Sequence, residues 1–224
     1  MNLTPPRGFD GDQPSADDLI WAYRHGVFPM AVGPTGRVEW FCPDPRAILP
    51  LDRFRVPASL ARRTRSGRFD IRADTALEQV MRQCAQPRSA RNGTWMSPPL
   101  LAAYLELHER GSTHSIEAWR EGTLVGGLYG VHIGSVFFGE SMFSRPSRGG
   151  TDSSRVCLVH LVQWLRCRGI RLLDVQFMSE HLRQFGAEEV TRGAFLTELA
   201  RAIAQPASWG TFEDTLSRSS RPPS

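Results

Sequence analysis

Carboxylates stand in two otherwise apolar segments of the sequence. Glu140 lies within VFFGESMFSR, and Asp174 lies within RLLDVQ, two residues before Gln176. A carboxylate with apolar neighbours in each of two predicted strands indicates a pocket, and a fixed anion in a pocket suits a ligand with an ammonium group. The alternatives are structural. Glu140 could be the partner of a buried salt bridge. Asp174 and Gln176 could simply satisfy backbone groups at the end of their strand.

The alternation of side chains along a strand decides which residues share the face of Glu140. With a period of two, Glu140 and Met142 point to one side, whereas Phe137 points to the other. A single ligand can contact Phe137 and Met142 together only if a bulge or twist at Gly139 intervenes. Otherwise one of the two belongs to the core.

The elements around these residues predict an α+β fold with a central, mostly antiparallel sheet. Three predicted strands follow one another closely, at residues 114–119, 123–131 and 135–143, and form a meander. A helix from about Asp152 to Arg168 and a strand at RLLDVQ come next. The helix has one apolar face, formed by Leu158, Leu161, Val162 and Leu165.

The remaining segments of the sequence predict further helices, a structured loop and two flexible ends. Helices are expected from Ser15 to Gly26, around residues 57–65, from a capping box of Thr75 and Glu78 to Cys84, from Ser97 to Gly111, and over residues 194–204. The segment VEWFCPDPRAIL is predicted to be a structured loop because prolines flank Asp44. Residues 1–14, which are rich in Pro, Gly and Asp, are expected to be disordered, and residues 206–224 are expected to form a flexible tail.

Composition restricts the class of protein. The chain has 224 residues, of which 41% are hydrophobic and 22% charged, as in ordinary globular proteins. The four cysteines are scattered without a CxxC pair, so neither a disulfide framework nor a zinc site is predicted. Neither a membrane span nor a signal peptide is predicted. We therefore expect a cytoplasmic protein without a zinc site, and as a separate expectation a monomer.

The positive charge is concentrated in one segment. Seven arginines lie from Arg53 to Arg72, and the only acids in or beside this segment are Asp52 and Asp70. Arginine pairs bidentately with phosphate, so this cluster suits a polyanion. The alternative is a solvated helix face that binds nothing.

Six motifs occur in an order that matches a known family. They are WFCPDPRAIL, GTWMSP, HSIEAW, GGLYGV, FFGESMFSR and LLDVQ, and with them the chain resembles the leucyl/phenylalanyl-tRNA protein transferases from about Leu19 to Ala204. The resemblance implies a small N-terminal α/β domain at residues 1–47, followed by an acetyltransferase-like (GNAT) catalytic domain at residues 48–205. It also implies transfer of Leu or Phe from aminoacyl-tRNA to the α-amine of proteins that begin with Arg or Lys, which marks them for N-end-rule degradation. The ester is already activated, so no metal, CoA or ATP is required.

The resemblance also implies roles for individual residues. Gln176, with Asp174 behind it, is expected to organise the attacking amine, and Glu140 is expected to bind the α-amino group of the transferred residue. The pocket for the transferred side chain would comprise Leu128, Phe137, Met142, Leu161 and Leu165. Methionine is flexible, so the pocket could accept Leu, Phe and, as a third candidate, Met. The 3′ adenosine is expected to contact Trp95, Tyr23, Tyr104 and Met30, and the tRNA body Arg62 and Arg65.

Several positions depart from the family pattern. Met30 replaces a common tryptophan, Ala58 replaces an arginine, and the loop 145–155 is longer than usual. This loop contains RPSRGG, which nearly matches the CoA-binding loop of acetyltransferases. Arg148 stands where that loop needs its first glycine and would block close approach of the backbone to a phosphate. A CoA-dependent N-acyltransferase and a non-catalytic RNA-binding protein on the same scaffold are the alternative hypotheses.

Overall fold

The computed structural model describes residues 13–33, 36–86 and 95–212. The helices and strands are, in chain order, α1 (Ala16–Arg24), β1 (Phe28–Val32), β2 (Arg37–Phe41), β3 (Arg46–Ile48), α2 (Ala58–Arg65), β4 (Asp70–Ala73), α3 (Leu77–Cys84), α4 (Pro98–Glu109), β5 (Thr113–Arg120), β6 (Thr123–Ile133), β7 (Val136–Ser144), α5 (Ser153–Cys167), β8 (Leu172–Gln176), α6 (Glu180–Arg183), β9 (Glu188–Val190) and α7 (Arg192–Ile203).

The large sheet has seven strands in the order β4-β5-β6-β7-β8-β3-β9. Neighbouring strands are antiparallel except β7 and β8, which are parallel and joined through α5. A parallel pair needs such a crossover, whereas the β5–β6–β7 meander needs only tight turns. The predicted α+β class with a mostly antiparallel sheet is confirmed.

Apolar side chains fill both faces of this sheet. On one face, α5 packs on Leu128 and Leu173. On the other face, α1, α3, α4 and α7 pack on Val131 and Phe138. Because helices cover both faces, the side chains of the central strands β5 and β6 are buried almost throughout, and a polar side chain there needs a partner.

The N-terminal segment is more regular than predicted. Strands β1 and β2 form an antiparallel hairpin in place of the predicted structured loop, with Phe28 opposite Phe41. Strand β3 pairs with β8 and β9 inside the large sheet, so Arg46 and Ala47 leave the predicted N-terminal domain and enter the main sheet. The prolines beside Asp44 obscured this strand, which is only three residues long.

Helix caps are confirmed at two of the predicted sites and replaced at a third. Ser15 caps α1 and Ser97 caps α4 through their side chains. The capping box predicted at Thr75 is absent, because α3 begins after Ala76 without a side-chain cap. Instead the buried carboxylate of Glu117 accepts hydrogen bonds from the backbone N–H groups of Thr75 (2.9 Å) and Ala76 (2.7 Å). A distant strand thus supplies the anion that favours this helix N-terminus.

The described ends of the chain bear on two further predictions. Residues 1–12 of the segment predicted to be disordered lie outside the described residues, as do residues 213–224 of the predicted flexible tail. Residues 206–212, in contrast to that prediction, pack on the core. Trp209 is 6% exposed and stacks on His114 with ring centroids 4.2 Å apart. Within the described ranges, no helix combines the length and apolar character needed to cross a membrane.

Candidate active site

Strand β7 contains a bulge at Glu140. Tyr129 pairs with Ser141, but the next residue of β6, Gly130, pairs with Gly139. Glu140 is therefore the extra residue of β7. A bulge re-aims side chains and interrupts pairing, which is how a carboxylate can leave the apolar pattern of the strand.

The bulge reverses the alternation along β7. Met142 lies opposite Leu128, and Phe137 lies opposite His132, so Phe137 and Met142 share one face of the sheet. Phe137 nevertheless lies outside the cavity beside Glu140. It is fully buried and stacks on Trp209 with centroids 5.5 Å apart. The predicted bulge is therefore present in β7, but Phe137 belongs to the hydrophobic core and not to the cavity.

A cavity of about 440 Å³ opens beside Glu140, between β7, β8 and α5. Of the side chains predicted for the pocket, Leu128, Met142 and Leu161 line it. Leu165 does not, because it is fully buried deeper in the core with Phe137. Sequence reasoning missed five apolar wall residues, which are Phe143, Leu158, Leu173, Val175 and Leu182. Leu158 lies on the apolar face predicted for α5, together with Leu161, so the sequence did contain a reason to include it in the pocket.

One wall of the cavity is polar. It includes Ser141, Ser144, Ser154, Ser179 and His181. Arg155 Nε donates to His181 Nδ1 over 3.3 Å. Burial and the Arg155 charge lower the pKa of His181, so this imidazole is neutral near pH 7.

Glu140 accepts one hydrogen bond on each carboxylate oxygen. Gln176 Nε2 donates to Oε1 (2.8 Å), and Tyr104 Oη donates to Oε2 (3.3 Å). Tyr23 Oη lies 2.6 Å from Tyr104 Oη and extends the network. Each carboxylate oxygen keeps a second lone pair with which it can accept a hydrogen bond from a ligand.

Burial controls the charge of Glu140. Desolvation, together with the charge of Asp174, raises the pKa of its carboxyl to about 7, while the nearby hydroxyls of Tyr23 and Tyr104 and the charge of Arg46 act in the opposite direction. Glu140 thus changes its protonation state in the physiological range. Such a group responds strongly to a cationic ligand, which favours the ionised form.

Tyr23 and Tyr104 were predicted to contact the 3′ adenosine, but the structure places both in the core. Both are fully buried, and burial raises the pKa of each hydroxyl well above its usual value. Neither ring presents a face on which an adenine could stack. Their hydroxyls support Glu140 instead.

The carboxylate of Asp174 forms a buried ion pair with Arg46. Arg46 Nε donates to Oδ1 (2.9 Å) and Nη2 to Oδ2 (2.6 Å), in the bidentate geometry that arginine favours. The guanidinium lies between the rings of Phe28 and Phe195, 4.8 and 4.7 Å from their centroids. Sequence reasoning missed Arg46, although an arginine beside the apolar residues of the RAIL segment was a signal of a buried partner.

Gln176 ends β8 in an unusual backbone conformation. Its φ is +62°, which L-residues other than Gly, Asn and Asp seldom adopt. Its backbone N–H donates to Asp174 Oδ1 over 2.9 Å. Asp174 therefore fixes the backbone of Gln176, whereas the side-chain amide bonds to Glu140. This corrects the expectation that Asp174 acts on the side-chain amide of Gln176.

These residues lie within regions that match known sequences. A sequence profile described as "Leucyl/phenylalanyl-tRNA protein transferase" matches residues 48–200, and a profile for the N-terminal domain of the same proteins matches residues 12–44. The chain belongs to the leucyl/phenylalanyl-tRNA protein transferase family.

Individual relatives agree with this assignment. A leucyl/phenylalanyl-tRNA protein transferase of Paramagnetospirillum magneticum is 53% identical over 194 residues, which are 86% of this chain and 91% of the relative. That of Salinibacter ruber is 48% identical over 203 residues, 91% of this chain and 86% of the relative. A solved GCN5-related N-acetyltransferase from Kribbella flavida is 13% identical with a TM-score of 0.41, and the alignment covers 77% of this chain and 59% of that chain.

Trp95 and Met30, the other two residues predicted to contact the adenosine, are partly buried. Trp95 is nearly parallel to Tyr129, with centroids 6.3 Å apart, and its Nε1 donates to Cys84 O over 3.3 Å. Met30 packs at the margin of the same apolar cluster. Adenosine binding by Trp95 and Met30 stays a prediction.

The two arginines predicted to contact tRNA are exposed on α2. Arg62 and Arg65 form no ion pair with any described residue, whereas Arg63 between them pairs with Asp152 (Nη1 to Oδ2, 2.8 Å). Arg63 also donates to the carbonyl oxygen of Thr151. The long loop is thus bound to α2 through Arg63, which leaves Arg62 and Arg65 available for a phosphate.

The N-terminus of α5 differs from a site for a CoA pyrophosphate. The N–H of Ser153 donates to Gly150 O, and that of Ser154 donates to Ser144 Oγ. The carboxylate of Asp152 stands at the same helix end. Occupied donors and a neighbouring anion both oppose phosphate binding there, which argues against the CoA-dependent alternative.

Proposed function

We propose that the protein transfers Leu or Phe, with Met as a third candidate, from aminoacyl-tRNA to the α-amine of proteins that begin with Arg or Lys. The observation that supports this most directly is the hydrogen bond between Gln176 and Glu140 beside a cavity that has one apolar wall. It joins an anion for the α-ammonium of the transferred residue to an amide that can orient the attacking amine.

The cavity suits the transferred side chain. Leu128, Met142 and Leu161 provide an apolar wall, and a volume of about 440 Å³ accommodates a branched or an aromatic side chain. Met142 can adapt to either shape because its side chain is unbranched and flexible. The α-ammonium of the same residue would bind the free lone pairs of Glu140.

The chemical step needs orientation more than a strong base. An α-amine has a pKa of about 7.7 to 8.0, so part of it is neutral near pH 7. Its nitrogen attacks the ester carbonyl, a C–N bond forms, and the bond from that carbon to the ribose 3′ oxygen breaks. The proton lost by the amine ends on the 3′ oxygen. Since Gln176 Nε2 donates to Glu140, its Oε1 is the atom that accepts a hydrogen bond from the incoming amine.

The product would carry a new N-terminal Leu or Phe and be marked for N-end-rule degradation, in the cytoplasm where charged tRNA is made. The direct test supplies labelled Leu-, Phe- and Met-tRNA with a substrate beginning with Arg, and acetyl-CoA in a parallel reaction. Label transferred from tRNA supports the proposal. Label transferred from acetyl-CoA alone contradicts it.

Binding of the aminoacyl end should weaken as the pH falls below about 7, because the pKa of Glu140 is raised to about 7. Below this pH the carboxyl is protonated and neutral, so it no longer attracts the ammonium. The affinity for an aminoacyl adenosine with an amide in place of the ester should fall by up to about tenfold per pH unit between pH 7 and 5.5. The measurement is calorimetric titration at several pH values.

The matched control for this pH dependence is Glu140→Gln. It should bind weakly at every pH, with no dependence between pH 5.5 and 7. The same slope in wild type and variant would mean that another group titrates.

Arg62→Ala should weaken binding of aminoacyl-tRNA and reduce the slope of log affinity against log salt by about 1. The reason is that Arg62 is exposed and free of ion pairs with described residues, so it can neutralise a phosphate. Filter binding from low to high salt measures both quantities. Arg201→Ala is the control, since Arg201 is 70% exposed but pairs with Glu198 on α7. Equal losses in both variants would remove the specific role of Arg62.

A further inference from the structure

Phe177 follows the proposed catalytic amide and is left open to solvent. Among the residues that the structure describes, Phe177 is the one large apolar residue that is strongly exposed, with 48% of its surface accessible to solvent. A single exposed apolar residue is unremarkable on most surfaces. Here the residue lies directly beside Gln176, where the attacking amine must arrive.

The backbone fixes the position of this ring. The left-handed conformation of Gln176 turns the chain, and the N–H of Phe177 donates to Val175 O over 2.7 Å. The ring then meets Phe28 at 84° with centroids 5.6 Å apart. One contact with the N-terminal hairpin therefore anchors Phe177, while half of its surface remains available.

The charges buried nearby favour a cation at this position. Arg46 and Asp174 neutralise each other, which leaves the carboxylate of Glu140 as the net charge when it is ionised. The side chain of Gln176 bonds to Glu140, and Phe177 is the next residue of the chain, so a cation attracted to this carboxylate approaches an aromatic ring. Rings attract cations over their faces, and arginine is bound in this way more often than lysine.

We propose that the ring of Phe177 binds the cationic side chain of the acceptor's N-terminal residue and favours Arg over Lys. The proposal rests on the proposed function, because it assumes that the acceptor amine approaches Gln176. The amine and the cationic side chain belong to the same residue of the acceptor. A side chain as long as that of arginine can therefore reach the neighbouring ring while the amine contacts the amide. The planar guanidinium can stack on the ring, whereas a lysine ammonium is a point charge.

The test compares wild type with Phe177→Leu, which keeps an apolar side chain but removes the ring. The KM for a peptide beginning with Arg should rise about three- to tenfold, the range expected for loss of a cation–π contact. The KM for a peptide beginning with Lys should rise less, and that for a peptide beginning with citrulline, a neutral analogue of arginine, should not change. Phe177→Trp should restore the low KM for the Arg peptide.

Three results would overturn this proposal. If KM rises for aminoacyl-tRNA and stays constant for the Arg peptide, the ring belongs to the adenosine site. If the Arg, Lys and citrulline peptides are affected equally, Phe177 has only an apolar or structural role. If nothing changes, the ring is a bystander. Failure of the proposed function is distinguishable, because wild type would then transfer no label to any peptide.

Discussion

Arg46→Met should lower the free energy of unfolding by about 3 to 5 kcal/mol. Arg46 is 1% exposed and Asp174 is fully buried, so removal of the guanidinium leaves a buried carboxylate without its counter-charge. The substitution also removes the bond from Nη1 to Gly26 O and both ring contacts. Methionine is apolar and flexible enough to fill much of the vacated space. Urea unfolding at pH 7 measures the loss.

The double variant Arg46→Met/Asp174→Leu separates stability from activity. Most of the lost stability should return, since replacing both members of a buried ion pair by apolar residues is often neutral or stabilising. Transfer activity should remain low, because the N–H of Gln176 loses the acceptor that fixes its backbone. A loss below about 1 kcal/mol in the single variant would show that the buried pair is not the support inferred here.

Local patterns in the sequence predict much of the scaffold. Ser15 and Ser97 mark the starts of two helices, and the side chain of each accepts a hydrogen bond from the backbone N–H three residues further on. The meander follows from alternation and from its glycine turns. These features depend on neighbours within a few residues, so the sequence contains the information directly.

The candidate site depends on contacts between distant parts of the chain. Arg46 and Asp174 are 128 positions apart, and Tyr104 and Glu140 are 36 apart. A contact between residues so far apart in the sequence leaves no periodic pattern of residue types. For this reason Arg46 was missed and Tyr104 was assigned to the adenosine. The bulge at Glu140 likewise depends on the register with β6 and cannot be placed from the composition of one strand.

The N-terminal segment is part of the site. Gly26 and Phe28 both contact Arg46, which orients Asp174, and Asp174 in turn fixes the backbone of Gln176. The segment that the predicted boundary assigns to a separate domain thus contributes to one side of strand β8. Truncation before residue 48 would remove the counter-charge of Asp174, and the network at Glu140 would lose Tyr23, the tyrosine that α1 contributes.

Gln176→Ala should lower kcat by about 100-fold, the cost expected when a reacting group is misplaced. The affinity for aminoacyl-tRNA should change by less than about threefold, because Tyr104 still donates to Glu140 and the carboxylate stays available to the ammonium of the ligand. Single-turnover kinetics with saturating aminoacyl-tRNA measure the first quantity, and equilibrium binding measures the second.

Gln176→Asn distinguishes the chemistry from the backbone. Alanine at a φ of +62° is strained, whereas asparagine adopts this conformation readily, so the Asn variant should keep the fold and the turn. Its amide is one methylene shorter and cannot keep the 2.8 Å bond to Glu140 without a shift of the backbone. A kcat as low as that of Gln176→Ala, together with wild-type stability, would assign the effect to the position of the amide. Wild-type kcat in the Asn variant, or loss of affinity as large as the loss of kcat in the Ala variant, would show that Gln176 does not orient the attacking amine.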